Sequence, residues 1–224
     1  PCAGGRRIAL IVDTDAPPVR MGIAALEAAL RGRGFEPYRS SSLEASGDPA
    51  FVVGGVGSRT VEGLLARRGM SVPEALQSLC IVRVRTRPRP VVVLVGRDAR
   101  GLMYALLEAA EAIEHAPAKA DPISAVSEVI KSPYMAVRGV SIQMHSAELD
   151  GEWFFDPEFW CRYFDLLSRS RFNTFALVFA HQTSYLAPPY PFFVEVEEFP
   201  EVRPKGLSDG QCERGYPLWH RNTA

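Results

Sequence analysis

Three short runs of uninterrupted apolar residues constrain this chain most: Ile8-Ala-Leu-Ile-Val12, Ala50-Phe-Val-Val53 and Val91 to Val95. None alternates, as a strand with one wet face would, and none is long enough to stand as a helix. Such runs suit strands covered on both sides. Helices to cover them are legible in between. Pro17 and Pro18 lead into a stretch where Val19, Ile23, Leu26 and Leu30 recur at helical spacing, up to Gly32 and Gly34. A second helix carries Val61, Leu64 and Leu65, and a third carries Met103, Leu106, Leu107, Ala110 and Ile113 behind a capping Asp98. Ile81-Val-Arg-Val-Arg85 alternates like a half-exposed strand, and Thr86-Arg-Pro-Arg-Pro90 suits a hairpin connection to Val91. The fold class read here is α/β: a small α/β sandwich, then a second part.

Composition separates the two parts. Residues 1–120 hold four aromatic side chains and residues 121–224 hold eighteen, while basic and acidic residues change from 16 and 12 to 9 and 14. The Pro- and Ala-rich stretch from His115 to Pro122 lies between them, so the expected domains are 1–120 and 121–224. The second part opens on a strand, Val137 to His145. Asp156-Pro157-Glu158 then starts a helix with Phe159, Tyr163, Leu166 and Leu167 on its apolar face. Thr174 to Ala180 is the next strand. Strand, helix, strand at this spacing is one βαβ unit with parallel strands.

The formal net charge of −1 lacks the cationic excess that nucleic acid or an anionic membrane surface demands. No apolar run approaches the roughly 18–20 residues that span a bilayer. Cys2, Cys80, Cys161 and Cys212 are far apart, which argues against a zinc ribbon and a disulfide framework. Pro1 stands in place of an initiator Met and no charged-then-apolar leader follows. Any signal peptide is therefore expected to have been removed, as in a periplasmic or secreted protein.

Several constellations invite chemistry. Gly54-Gly-Val-Gly-Ser58 joins a strand to a helix, where phosphate loops occur, yet it lacks both the dinucleotide fingerprint and the P-loop Gly-Lys-Ser/Thr. A tight structural turn is the favoured reading there. His145 and His181 each follow the carboxyl end of an expected parallel strand, the edge where α/β folds bind ligands. Each either contacts a ligand or satisfies a loop carbonyl; no third residue has metal-ligand spacing. Glu148, Asp150, Glu152 and Asp156 crowd one loop and read as solvated, with Asp156 committed to capping. Glu197 and Glu198 point to opposite sides of an extended chain. Tyr185, Tyr190, Phe192 and Phe193, set among prolines, suit either stacking on sugar rings or packing of the loop on its own rim.

Three segments carry a family resemblance. Asp98-Ala-Arg-Gly-Leu-Met-Tyr-Ala-Leu-Leu-Glu108 resembles the helix that closes the N-terminal α/β domain of β-hexosaminidases and α-glucuronidases. Ser132-Pro-Tyr-Met-Ala-Val-Arg-Gly-Val140 is similar to the Pro-x-x-x-x-Arg-Gly lead-in to the first strand of their (β/α)8 barrel, and Phe172-Asn173 to the Asn-led second strand. The resemblance covers most of residues 1–200. It implies a hexosaminidase-like N-terminal domain followed by the first βα units of a TIM-type barrel. It also implies that Arg138 binds sugar hydroxyls, a task suited to a fixed fork of donors. The family's catalytic Asp-Glu dipeptide follows the fourth barrel strand and has no counterpart, so no catalytic residue is assigned in this chain. The 104 residues after position 120 are also fewer than the roughly 200–250 of a complete barrel, as in a fragment or a truncated gene product. The resemblance therefore implies part of a glycoside hydrolase with Arg138 as a sugar contact. His145 and His181 at their strand ends and Tyr185 in the aromatic loop are the other expected contacts, and no cofactor or metal is expected. A non-catalytic carbohydrate-binding or interaction module is the alternative.

Overall fold

A computed structural model describes residues 6–86, 89–144 and 152–179. The chain forms two compact units, Pro1–Ala136 and Val137–Ala224.

The first unit is a six-stranded mixed sheet. Its elements are β1 (Arg6–Val12), α1 (Pro17–Gly32), β2 (Phe35–Arg39), β3 (Ala50–Gly55), α2 (Arg59–Ala66), β4 (Leu79–Arg85), β5 (Pro90–Gly96), α3 (Ala99–Glu114), α4 (Pro122–Ala125) and β6 (Val129–Lys131). The strand order is β2-β1-β3-β5-β4-β6, with β2, β1, β3 and β5 parallel. Successive side chains of the apolar runs alternate between two cores, because a strand points neighbours to opposite faces. Ile8, Leu10, Phe51, Val53, Val92 and Leu94 pack under α1 and α3. Ala9, Ile11, Ala50, Val52, Val91, Val93 and Val95 pack with Val61, Leu64 and Leu65 of α2. The sheet is thus covered on both sides, as its apolar runs require. Arg85 pairs with Pro90 at the end of the antiparallel β4–β5 ladder.

Three elements escape the sequence patterns: β2, α4 and β6. Strand β2, Phe-Glu-Pro-Tyr-Arg, carries Pro37 and no alternation; it is tolerated as an edge strand that pairs only with β1. The expected linker near residue 120 is instead part of the first unit. Asp121 caps α4, Ile123 and Val126 enter the larger core, and β6 pairs with β4. Proline and alanine there serve a helix start, so the unit closes at Ala136 and not near 120.

The Asp98–Tyr104 segment is a fastening. Asp98 accepts hydrogen bonds from the amides of Gly101 (2.8 Å) and Gln77 (3.0 Å), and the Tyr104 hydroxyl donates to the Gln77 side-chain oxygen at 3.4 Å. A Cβ on Gly101 would lie 2.3 Å from the Ser78 carbonyl oxygen, and one on Gly96 would lie 1.9 Å from the Leu102 amide. Glycine lets α3 touch the backbone of β5 at Gly96 and the residue before β4 at Gly101.

The second unit holds β7 (Gly139–Met144), α5 (Pro157–Arg169) and β8 (Thr174–Phe179). The strands are parallel, in register from Gly139 opposite Thr174 to Met144 opposite Phe179. Asp156 caps α5 by accepting from the Glu158 amide at 2.8 Å, and Pro157 occupies the first turn.

Candidate functional site

A turn positions the amino ends of β7 and β8. Helix α5 stops when Arg171 takes φ of 65°, a left-handed conformation more usual for glycine. The amides of Arg171 and Phe172 then donate back to the carbonyls of Ser168 (3.0 Å) and Leu167 (2.9 Å). This pair of bonds is the Schellman arrangement. The turn delivers Asn173 beside Arg138. The Arg138 amide donates to the Asn173 side-chain oxygen at 2.9 Å, and the Arg138 carbonyl accepts from the amides of Asn173 (2.9 Å) and Thr174 (3.2 Å). The Arg138 Nε donates to the Arg171 carbonyl at 2.8 Å, which fixes the plane of the guanidinium. Arg138 is therefore held at the amino end of the pair. The far end of β7, at Met144, is about 20 Å away at the usual rise per strand residue.

The pair has two unlike faces. Val140, Ile142, Phe175 and Leu177 are half-buried. Phe175 meets the rings of Trp160, Tyr163 and Phe164 of α5 at centroid distances of 5.7, 5.9 and 5.2 Å. Gly139, Ser141, Thr174 and Ala176 are exposed on the other face. Small side chains and two hydroxyls leave that face open to a polar guest or to further strands.

Of the residues singled out in the sequence, Arg138 is placed as above. His145, His181, Tyr185, Glu148, Asp150, Glu197, Glu198 and the aromatics Tyr190, Phe192 and Phe193 lie outside the described residues. Glu152 is exposed, and Asp156 is occupied by its cap and by Arg162 at 3.4 Å. Among the described residues, no group of three or more His, Cys, Asp or Glu could hold a metal ion, and no helix is long and apolar enough to cross a membrane.

The Gly54 loop is a structural turn. The Val56 amide donates to the Gly96 carbonyl, the Ser58 amide to the Gly55 carbonyl, and the Gly57 amide to the Glu62 carboxylate at 3.0 Å. Glu62 thus occupies the position an anion would take. The Asp13 carboxylate adds repulsion, since a Cβ on Gly54 would lie 2.5 Å from it.

Sequence reasoning missed a crevice of about 460 Å³ at the carboxyl ends of β1 and β2, lined by Asp13, Asp15, Arg20, Arg39 and Ser40. Doubly wound sheets bind ligands at such edges. Its signal was Asp13-Thr-Asp15 directly after a buried strand, but the edge became visible only once β2 was known. Its arginines are already engaged: Arg20 with Asp15 at 3.1 Å and Arg39 with Glu27 at 3.3 Å.

No protein-family profile and no curated protein matches the chain. Among solved structures, a GH138 enzyme described as targeting pectin rhamnogalacturonan II aligns with 97% of this chain at 14% identity and a TM-score of 0.60. CpGH84D aligns with 49% of this chain and 18% of its own, at 13% identity and a TM-score of 0.40. The chain spans 28% of the GH138 enzyme. The likeness to the GH138 enzyme is one of fold.

Proposed function

We propose that this chain is part of a glycoside hydrolase acting on the glycosidic bonds of an oligo- or polysaccharide. In this reading, the unit from Val137 onward supplies the first βα units of a (β/α)8 catalytic barrel. The unit before it is a hexosaminidase-like accessory domain. The observation that carries the reading is the likeness to the GH138 enzyme, which runs over 97% of the chain and so includes both units. The parallel β7–β8 pair, covered by α5 on one face and open on the other, supports it, since barrel strands have helices outside and a closed interior. Val137–Ala224 is well under half of the roughly 200–250 residues such a barrel needs. In this reading the acid and the second carboxylate of glycoside hydrolysis belong to other strands of the barrel, as the resemblance implies.

His145, His181 and Tyr185 are the proposed sugar contacts at the carboxyl edge. Arg138 lies at the opposite end of β7, and its bond from Nε to the Arg171 carbonyl supports a role in holding the two strands in register. The test is to express the longest reading frame that contains this sequence and follow reducing-end release from pectin and other polysaccharides. Release supports the reading; none from any of them overturns it. The 224-residue chain by itself is expected to release nothing. Hydrolysis by it that is abolished in Asp150→Asn or Glu152→Gln would move the catalytic carboxylates into the acidic loop.

A further inference from the structure

A groove of about 750 Å³ runs along the first unit between the end of α2, the β4–β5 hairpin and α4. Four arginines line it: Arg67, Arg68, Arg83 and Arg85. The acids in the same lining are Asp121 and Glu128, so the groove carries a surplus of two positive charges in a chain whose formal net charge is −1. The acids are committed locally. Asp121 caps α4 by accepting from the Ser124 amide at 3.0 Å. Glu128 pairs with Arg68 at 3.1 Å and accepts from the Arg83 amide at 2.9 Å. Arg68 also donates to the Arg83 carbonyl, and Arg83 to the Ser124 carbonyl at 3.4 Å. Arg68 and Arg83 are thus framework. Arg67 and Arg85 are exposed and have no ion partner among the described residues. Arg67 also lines an adjoining hollow of about 470 Å³ that includes Thr86 and Arg89. Glu44 and Asp48 in that hollow balance Arg67 and Arg89, so the positive surplus is confined to the groove itself.

We propose that this groove binds an acidic oligosaccharide through its carboxylates, with Arg67 and Arg85 as the contacting cations. The size falls within the roughly 300–1,000 Å³ of small-molecule sites. A guanidinium offers parallel donors to a carboxylate, which gives such a pair direction as well as charge. A groove of about 750 Å³ is far larger than a single small anion and suits an oligosaccharide segment. The proposal rests on the glycoside-hydrolase reading and deepens it: the accessory domain would select uronate-bearing chains.

The test is affinity electrophoresis of the full 224-residue chain through gels containing polygalacturonate or the same polymer fully methyl-esterified. Polygalacturonate should retard the chain, the retardation should weaken as salt is raised, and the ester should not retard it. The Arg67→Ala, Arg85→Ala double variant should bind about tenfold more weakly or worse, with its thermal midpoint unchanged. Equal retardation by the ester, no retardation by either polymer, or full binding by the double variant would each overturn the proposal. So would equal retardation by double-stranded DNA at matched charge, which would make the groove a general anion surface. Esterification changes only the ligand, so the test holds even for a variant that folds poorly. If the groove binds uronate while the longer reading frame cleaves no polysaccharide, the hydrolase reading fails and the groove stands.

Discussion

Cys80 shows how a single residue reports on its surroundings. Its side chain is fully buried in the smaller core of the first unit, and its thiol is pushed up to about 11 from an ordinary 9.0. Loss of water is the main cause, and the nearby charge of Glu128 adds to it. The unfolded thiol ionises at lower pH than the folded one. The stability it contributes is therefore complete below 9.0 and is lost as pH rises through about 11. The thermal midpoint should fall over that interval, and Cys80→Ala should flatten the fall. An unchanged slope in the variant would assign the alkaline loss to other groups. Cys161, exposed on α5, should react with a thiol reagent in the native protein while Cys80 does not.

At the scale of elements, the Arg138–Asn173 clip is the most exposed to test. Asn173→Ala removes the acceptor for the Arg138 amide and should cost about 1 kcal/mol of stability, the usual loss for a partly buried bond. Arg138→Lys removes the Nε donor to Arg171 and should also lower the thermal midpoint. If Arg138→Lys instead weakens sugar binding at an unchanged midpoint, Arg138 is a ligand contact and not a strand clip. The Asn-led second strand was legible as a motif in the sequence. Its partner was not, because Arg138 and Asn173 meet only when the intervening helix has reversed the chain.

For the whole molecule, the prediction concerns where the units part. Residues 121–131 carry a capped helix and a paired strand, whereas Tyr134, Met135 and Val137 are strongly exposed. Brief chymotrypsin treatment should cut after Tyr134 and leave a folded fragment that ends there, since proteases take exposed backbone without secondary structure. A first cut between residues 115 and 131 would mean that α4 and β6 are not held by the sheet.

The apolar runs, the helical stripes and the Asp98 and Asp156 caps were readable because each is a local regularity, set by neighbours within a few residues. They were enough to specify an α/β sandwich followed by a parallel βαβ unit. Strand β2, strand β6 and the linker-like α4 were not readable, since their residues have no periodicity of their own and gain order by pairing with or packing on a sheet already formed. The grooves were hidden for the same reason. Arg67 and Arg85 are ordinary surface arginines in the chain, and only the packing of α2 and α4 beside the β4–β5 hairpin brings them to one wall. Local pattern chose the elements; long-range pairing decided which charges became neighbours.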